Sequence, residues 1–307
     1  MPRIRTSVRV GTAAALGLAA LAGVVAPARA APQTFNTALP IARGEILWRE
    51  QFLFRKRGGD RSAADRQVRV RGAISVLGYG ARADLALFAV LPLLDKELDV
   101  TPPGMARLSR NSTGIGDVRL FARYTLFKND FSGGSFRIAP FAGLELPTGD
   151  DDDRDRLGPL PAPLQLGSGS WDPFFGVVAT WQVLDFELDA SASHKRNTRA
   201  NGFEFGDETR FDASLQYRLW PRRLEGGLPG FLYGVLETNL VHQGRDRLAD
   251  LPDPDSGGTQ AMLSPGLQYV TLRWVVEAIV QIPIAREPNG RALRDDLAVR
   301  AGFRIKF

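Results

Sequence analysis

The sequence predicts an all-β protein, a closed antiparallel transmembrane β-barrel of about twelve strands. One observation is an alternation of apolar and polar residues with a period of two, clearest in residues 184–193, 210–219 and 296–307. Because successive side chains of a strand point to opposite faces, each segment has one apolar and one polar face. A second observation is that the longest apolar run after residue 30, Leu85 to Leu94, is too short for a spanning helix, which needs roughly 20 residues.

The same alternation along the chain predicts strands whose length suits a membrane. A tilted strand crosses the hydrocarbon in about 9–11 residues, whereas strands of soluble proteins average about five or six. The predicted strands are residues 44–55, 66–77, 80–91, 115–127, 135–147, 171–183, 184–194, 208–220, 230–242, 260–270, 272–283 and 295–307. Most of these segments are long enough to cross.

Short and long connections alternate between the predicted strands. The short ones lie near residues 77–80, 183–184 and 270–272, and the long polar ones span 92–114, 148–170, 195–207 and 243–259. Outer-membrane barrels have short periplasmic turns and long extracellular loops. An even strand count therefore predicts that both termini face the periplasm.

The first thirty residues have the pattern of a cleaved signal peptide. Three arginines precede an apolar core from Gly11 to Ala26, and Ala28-Arg29-Ala30 provides a small-x-small cleavage site before Ala31. The core is too short for a membrane anchor helix, which is the alternative. We therefore expect a signal peptide at 1–30, an N-terminal periplasmic lead-in at 31–43 and an outer-membrane barrel at 44–307.

Charge and cysteine content narrow the range of partners. Four of the 39 Lys and Arg residues, and no acid, lie in residues 1–30, so the mature chain has 35 basic against 34 acidic residues. Nucleic acid is therefore not an expected partner. The chain has no cysteine, and a barrel closed by its own hydrogen bonds needs no disulfide.

Aromatic residues cluster near the predicted strand ends, as interfacial girdles require. The alternative is that these residues cap strands of a soluble sandwich, which the strand lengths disfavour. Near the predicted periplasmic ends lie Trp48, Trp181, Tyr217, Trp220, Tyr233, Tyr269 and Trp274, and near the opposite ends lie Phe52, Phe54 and Trp171.

Three segments carry a family resemblance. They are Gly114-Ile115-Gly116-Asp117-Val118 with Arg123-Tyr124, then residues 140–150 ending in Pro147-Thr148-Gly149-Asp150, and Leu166-Gly167-Ser168-Gly169-Ser170-Trp171-Asp172-Pro173. Together they resemble the outer-membrane transporter-like family named for the MetA pathway of phenol degradation, over about residues 40 to 307. The resemblance implies a barrel that passes small, often hydrophobic or aromatic, molecules. The terminal Phe307 resembles the assembly signal of outer-membrane proteins, which implies the barrel assembly machinery as a partner.

The loop motifs have a physical interpretation independent of the resemblance. Proline, glycine and aspartate favour turns where a strand enters a loop, and glycines permit a tight re-entry. We expect these residues to shape the loop, the alternative being that they line a substrate path. The set comprises Pro147, Thr148, Gly149, Asp150, Gly167, Ser168, Gly169, Trp171 and Asp172.

Charged residues on the polar faces are the candidates for lining the lumen. If bases and acids lie on opposite walls, they create a transverse field over a water-filled interior that orients polar permeants. If they pair directly, they plug a narrow lumen. The predicted lining residues are Arg69, Arg71, Arg119, Arg123, Arg137, Asp185, Glu187, Asp189, Asp212, Arg300 and Arg304.

No motif points to a metal, a cofactor or catalysis. The acidic run from Asp150 to Asp155 lacks the spaced ligand pattern of a calcium loop, so a solvated loop near lipopolysaccharide is preferred. Ser193 and His194 are adjacent in one strand, so they face opposite sides and cannot form a nucleophile–base pair. His242 is the only other histidine. We therefore expect neither an enzyme nor a cofactor.

The sequence thus predicts a channel or transporter for passive uptake or efflux of small molecules across the outer membrane. Expected partners are outer-membrane lipid and lipopolysaccharide, the assembly machinery and a small-molecule permeant. One alternative is a structural or lipid-binding barrel with a plugged lumen. The other is a lipid-modifying outer-membrane enzyme.

Overall fold

The strands pair in chain order and the last strand pairs with the first, in a computed structural model that describes residues 29–223 and 230–307. Every neighbouring pair is antiparallel. The result is a closed barrel with twelve strand positions, which confirms the predicted fold class. Closure leaves no open sheet edge, so the backbone donors and acceptors are satisfied without water.

Eleven positions hold one continuous strand each, and the fourth is interrupted. The strands are β1 Ile46–Gly58, β2 Gln67–Gly80, β3 Leu85–Val100, β4 in three segments (Leu108–Ile115, Val118–Tyr124 and Phe127–Phe131), β5 Gly134–Leu146, β6 Asp172–Val183, β7 Phe186–Lys195, β8 Glu208–Trp220, β9 Phe231–Gln243, β10 Gly258–Val270, β11 Trp274–Pro288 and β12 Arg294–Lys306. No helix within the described ranges is long and apolar enough to cross a membrane.

The two ends of the barrel differ. At the end that we call the turn end, the connections 81–84, 132–133, 184–185 and 271–273 are short, and both β1 and β12 have their terminal ends there. At the opposite loop end lie residues 59–66, 101–107, 147–171, 196–207, 244–257 and 289–293. The longest loop contains a short helical turn, Ala162–Leu164, and two loops share a small sheet of Phe203–Glu204, Arg247–Leu248 and Leu251–Pro252.

The outer face carries a belt of exposed apolar side chains. Residues directly opposite each other across strand pairs share a face, and the outward rows are rich in leucine. In one such row Leu188, Leu215 and Leu236 are between 37% and 45% exposed. An apolar surface of this extent does not suit water but suits lipid.

The inner face is polar over most of its area but not everywhere. Among its fully buried side chains are Gln216, Gln268, Glu187, Glu237 and Asn239. Small apolar clusters form where other segments enter the barrel. Near the turn end Ile41 packs against Ala86 and Phe88, and near the loop end Leu160 and Leu164 pack against Leu98.

The belt makes a depth-dependent prediction about two outward leucines of β8. Leu215→Arg should lower the free energy of unfolding by about 2–4 kcal/mol, because it places a charge near the middle of the hydrocarbon. Leu219→Arg, near the turn end of the same strand, should cost only about 0–1 kcal/mol. Urea titration of tryptophan fluorescence in lipid vesicles measures both, and equal costs would contradict a membrane-spanning belt.

Candidate channel lumen

Strand register places most of the predicted lining residues inside the barrel. The inward group includes Arg119, Arg123, Arg137, Glu187, Asp189, Asp212, Arg300 and Arg304. Asp185 lies in the short turn between β6 and β7 and forms an ion pair with Arg218 at the turn end. The inward side chains border the space through which a permeant would pass. Their role in passage stays a prediction.

Arg69 and Arg71 lie on the outer face, so the prediction that they line the lumen is wrong. Arg71 stands opposite Phe54, which points away from the barrel, and the inward residues of β2 include Val68 and Val76. The alternation misled because the apolar side of β2 packs against inserted segments instead of lipid. The two arginines are paired with outward acids of β3, namely Glu97, Asp99 and Asp95.

The segment of residues 31–43, which we call the N-terminal segment, occupies the interior of the barrel. It contacts inward side chains of β1, β4, β6, β9 and β10, which surround the whole circumference. Only a segment inside the lumen can reach all of these strands. Residues 31–43 were predicted to be a periplasmic lead-in, and the structure places them in the lumen instead.

Glu237 of β9 anchors one side of this segment. Its two carboxylate oxygens accept hydrogen bonds from the backbone N–H of Gln33 at 2.6 Å and of Thr34 at 3.1 Å, and from the Thr34 hydroxyl. On the opposite face of the segment, Gln51 donates to the Gln33 carbonyl at 2.9 Å. Glu237 is fully buried, so these hydrogen bonds lie in a site shielded from water.

Arg123 anchors the other side. Its guanidinium donates to the Asn36 side chain at 2.6 Å, to the Thr37 carbonyl and to the Leu39 carbonyl at 2.5 Å. The Thr180 hydroxyl of β6 accepts from the Ala38 N–H at 2.8 Å. The segment is thus held by polar contacts, which water can replace, and by two small apolar clusters around Ala38 and Ile41.

Several interior charges form ion pairs with residues of nearby strands. Glu277 forms ion pairs with Arg49 at 2.6 Å and with Arg304 at 3.2 Å. Glu145 pairs with Arg119 and, at 3.0 Å, with Lys195. Because these partners come from nearby strands, local pairing reduces the predicted transverse field, whose role in passage stays a prediction.

Two cavities lie in the lumen near the N-terminal segment. A cavity of about 520 Å³ is bordered by the segment itself and by the walls near the turn end, including Val76, Phe88 and Phe121. A smaller cavity of about 180 Å³ lies toward the loop end, between β1 and strands β8 to β12. Its lining is rich in arginine.

Charged pairs hold the rim at the loop end. Arg66 binds Asp60 and donates to the carbonyl of Arg291, which in turn pairs with Asp255, so three loops are joined. Burial alone would raise the pKa of Asp60, but hydrogen bonds from Arg66 and Ser62 outweigh it and hold that pKa well below its usual range. These contacts therefore stabilise the rim at neutral pH and weaken only as the pH falls below the ordinary aspartate range.

The three motif segments meet at one carboxylate, that of Asp117. It lies in the break of β4 and accepts from the N–H groups of Thr148 at 3.0 Å, Gly149 at 2.9 Å and Ser168 at 2.7 Å. Glycine is needed at Gly167 because a Cβ there would collide with the carbonyl oxygen of Gly149. The contacts of Asp117 thus brace the long loop against β4, and the role of the motifs in the passage of a substrate stays a prediction.

The remaining motif residues extend this brace. Asp172 accepts from the Ser170 hydroxyl at 2.9 Å and from the Thr198 N–H at 2.7 Å, which joins a second loop. The acidic run is also engaged with protein donors, since Asp155 pairs with Arg110 and Asp151 accepts from Asn201. The described part of the chain contains no group of three or more acidic or histidine side chains that could hold a metal.

Phe307 hydrogen bonds with Ile46 through both backbone groups and so closes the seam between β12 and β1.

The two histidines lie outside the lumen. His194 and His242 face outward, and each contacts a threonine hydroxyl of the next strand at 2.9 Å. Ser193 faces inward, opposite Arg210. The geometry therefore keeps Ser193 and His194 on opposite sides of the wall.

Comparison with known proteins identifies the family. The model described as "Putative MetA-pathway of phenol degradation" matches residues 62–300. The chain belongs to this family. No curated protein matches the sequence.

Solved structures share the barrel fold. An outer membrane channel from Pseudomonas putida F1 is 12% identical with a TM-score of 0.68, covering 91% of this chain and 100% of its own. The beta domain of the Bordetella autotransporter Brka is 13% identical with a TM-score of 0.46, covering 86% and 100%. The CymD monoaromatic hydrocarbon channel is 12% identical with a TM-score of 0.38, covering 87% and 89%. At 12% identity the Pseudomonas channel shows only that the fold is shared. The other two structures have TM-scores below 0.5, and nothing is inferred from them.

Sequence reasoning did not single out Glu237, Gln51 or the role of Asp117. Glu237 lies on the polar face of β9 in the alternating run Leu236-Glu237-Thr238-Asn239, so its inward direction was readable. Its partner was not, because residues 31–43 carry no periodic pattern. Asp117 falls between a glycine and the resumption of the strand, which is a signal for a break in β4.

The brace predicts a stability effect at Asp117. Asp117→Ala should lower the free energy of unfolding by at least about 2 kcal/mol, because it leaves several backbone donors of the loop without their charged acceptor. Asp152→Ala is the matched control, since Asp152 is an exposed aspartate of the same loop. Urea titration in detergent micelles compares the two variants. Equal stability would remove Asp117 as the centre of the brace.

Proposed function

We propose that the protein is an outer-membrane channel for passive passage of small molecules, gated by the N-terminal segment. The observation that carries the proposal is a lumen with open space on both sides of a segment that is held mainly by exchangeable polar contacts. Removing the segment from the axis would join the two cavities. Family membership and the shared channel fold support the same function.

The proposed orientation places the turn end in the periplasm. Bacterial barrels have short periplasmic turns and long extracellular loops, and here the short connections share an end with the termini. In this orientation the N-terminal segment enters from the periplasmic side. Export through a cleaved signal at residues 1–30 is part of the proposal, and residues 1–28 lie outside the described structure.

The outer surface fits lipid partners in this orientation. Lys56, Arg69 and Arg71 would lie at the outer leaflet, where lipopolysaccharide phosphates lie, although both arginines already have carboxylate partners. The terminal strand ending in Phe307 would engage the assembly machinery. We assign no catalytic role to His194 or His242, because both face away from the lumen.

Gating predicts a gain of conductance in Glu237→Gln. The amide retains one acceptor oxygen and places a donor against the N–H groups of the segment, so one buried N–H loses its acceptor at a cost of about 1–3 kcal/mol. The open fraction in planar bilayers should rise on the order of tenfold or more, since about 1.4 kcal/mol corresponds to a factor of ten. The matched control is Glu97→Gln, an outward acid of β3 that should leave conductance unchanged.

A second candidate is a plugged structural or lipid-binding barrel. It is favoured by the local pairing of interior charges and by the segment that fills the lumen. If neither the wild type nor Glu237→Gln conducts, although both migrate as folded barrels on unheated gels, the channel proposal fails and this candidate takes its place.

A further inference from the structure

The loop-end cavity is surrounded by an excess of cationic side chains. Two acids, Glu208 and Glu287, border the cavity of about 180 Å³. Six arginines border it, namely Arg55, Arg57, Arg210, Arg286, Arg294 and Arg300. Such a concentration of guanidinium groups within a protein interior is costly unless anions accompany them.

Four of these arginines have a carboxylate partner. Asp295 binds Arg55 at 2.5 Å and Arg57 at 3.3 Å, and the others form the pairs Arg210–Asp212 at 3.2 Å and Arg286–Asp296 at 3.6 Å. The charge of these pairs is therefore partly compensated within the wall, and the remaining two arginines determine the local excess.

Arg294 and Arg300 have no carboxylate within ion-pair distance in the part of the chain that the structure describes. Arg300 donates from Nε to the Gln281 side chain at 3.1 Å, and its two terminal nitrogens make no hydrogen bond to a described residue. The Nε atom of Arg294 is buried and makes no hydrogen bond to a described residue. Arg300 borders the cavity, so an anion bound there would supply its terminal nitrogens with the missing acceptor.

Apolar side chains complete the cavity wall. Leu53, Val241, Met262, Leu293 and Ala298 lie beside the arginines. A cavity of roughly 150 Å³ with apolar walls can hold benzene, so this one has room for a single ring and a small polar group. Inorganic anions would leave the apolar wall unused.

We propose that this cavity is a binding subsite for a small aromatic carboxylate, with Arg300 as the group that receives the carboxylate. A guanidinium binds a carboxylate through two parallel hydrogen bonds, and the terminal nitrogens of Arg300 are available for this. Its use as a station for a permeant rests on the proposed channel function, whereas binding itself does not. The subsite adjoins the gate, because Gln281 donates to Asn239 at 3.2 Å and Asn239 donates to Thr34 at 2.9 Å.

Isothermal titration of the detergent-solubilised protein with sodium benzoate tests the subsite. Wild type should bind benzoate saturably, and Arg300→Gln should weaken binding at least tenfold. Arg71→Gln is the matched control, an arginine of the outer face whose loss should leave the dissociation constant unchanged. Benzyl alcohol, which lacks the carboxylate, and inorganic phosphate, which lacks the ring, should each bind at least tenfold more weakly than benzoate.

The proposal is overturned by absence of saturable benzoate binding, by equal losses in Arg300→Gln and Arg71→Gln, or by a competitor that binds as well as benzoate. Retention of the unheated gel mobility shows that a variant has folded. A second variant, Arg294→Gln, covers the case in which Arg300→Gln does not fold, and should also weaken binding.

Transport is scored separately in proteoliposomes that contain Glu237→Gln. Arg300-dependent binding without benzoate passage leaves the subsite standing and removes the channel. Passage of neutral aromatic molecules without benzoate binding supports the channel and removes the subsite.

Discussion

The structure depends on one constraint, that every backbone N–H and C=O of a membrane strand must find a partner inside the sheet. Closure of β12 on β1 meets this constraint, and Phe307 extends the pairing to the end of the chain. A closed wall in lipid must turn its apolar side chains outward, which leaves the polar ones to face the lumen. The interior then has to be filled by water, paired charge or another segment.

All three kinds of filling are combined here. Ion pairs such as Arg49–Glu277 neutralise the walls locally, the N-terminal segment satisfies Glu237 and Arg123, and open volume remains at both ends. The segment is therefore part of the packing as well as an obstacle. Many of its anchors are hydrogen bonds that water can replace, so the segment can leave the lumen without loss of the wall. The guanidinium of Arg300, which has no carboxylate partner among the described residues, is linked to the segment through Gln281 and Asn239.

The sequence predicts the wall of the barrel better than its contents. Strand number, closure and the loop brace follow from alternation, turn chemistry and the family motifs, since these are local or repeated signals. Arg69 and Arg71 were misplaced because alternation shows two faces but not which one meets lipid, and the valines of β2 pack on inserted segments. The N-terminal segment was missed because its partners lie up to 237 positions away in the chain.

The most direct test of the gate is a reversible lock between the segment and the wall. Thr34 and Asn239 are in side-chain contact, and the chain has no cysteine, so the double variant Thr34→Cys, Asn239→Cys introduces a single possible disulfide. Planar-bilayer recordings should show no conductance in the oxidised protein and recovery of wild-type conductance after reduction. Equal conductance of the oxidised and reduced forms, with the disulfide verified by mass spectrometry, would contradict the account.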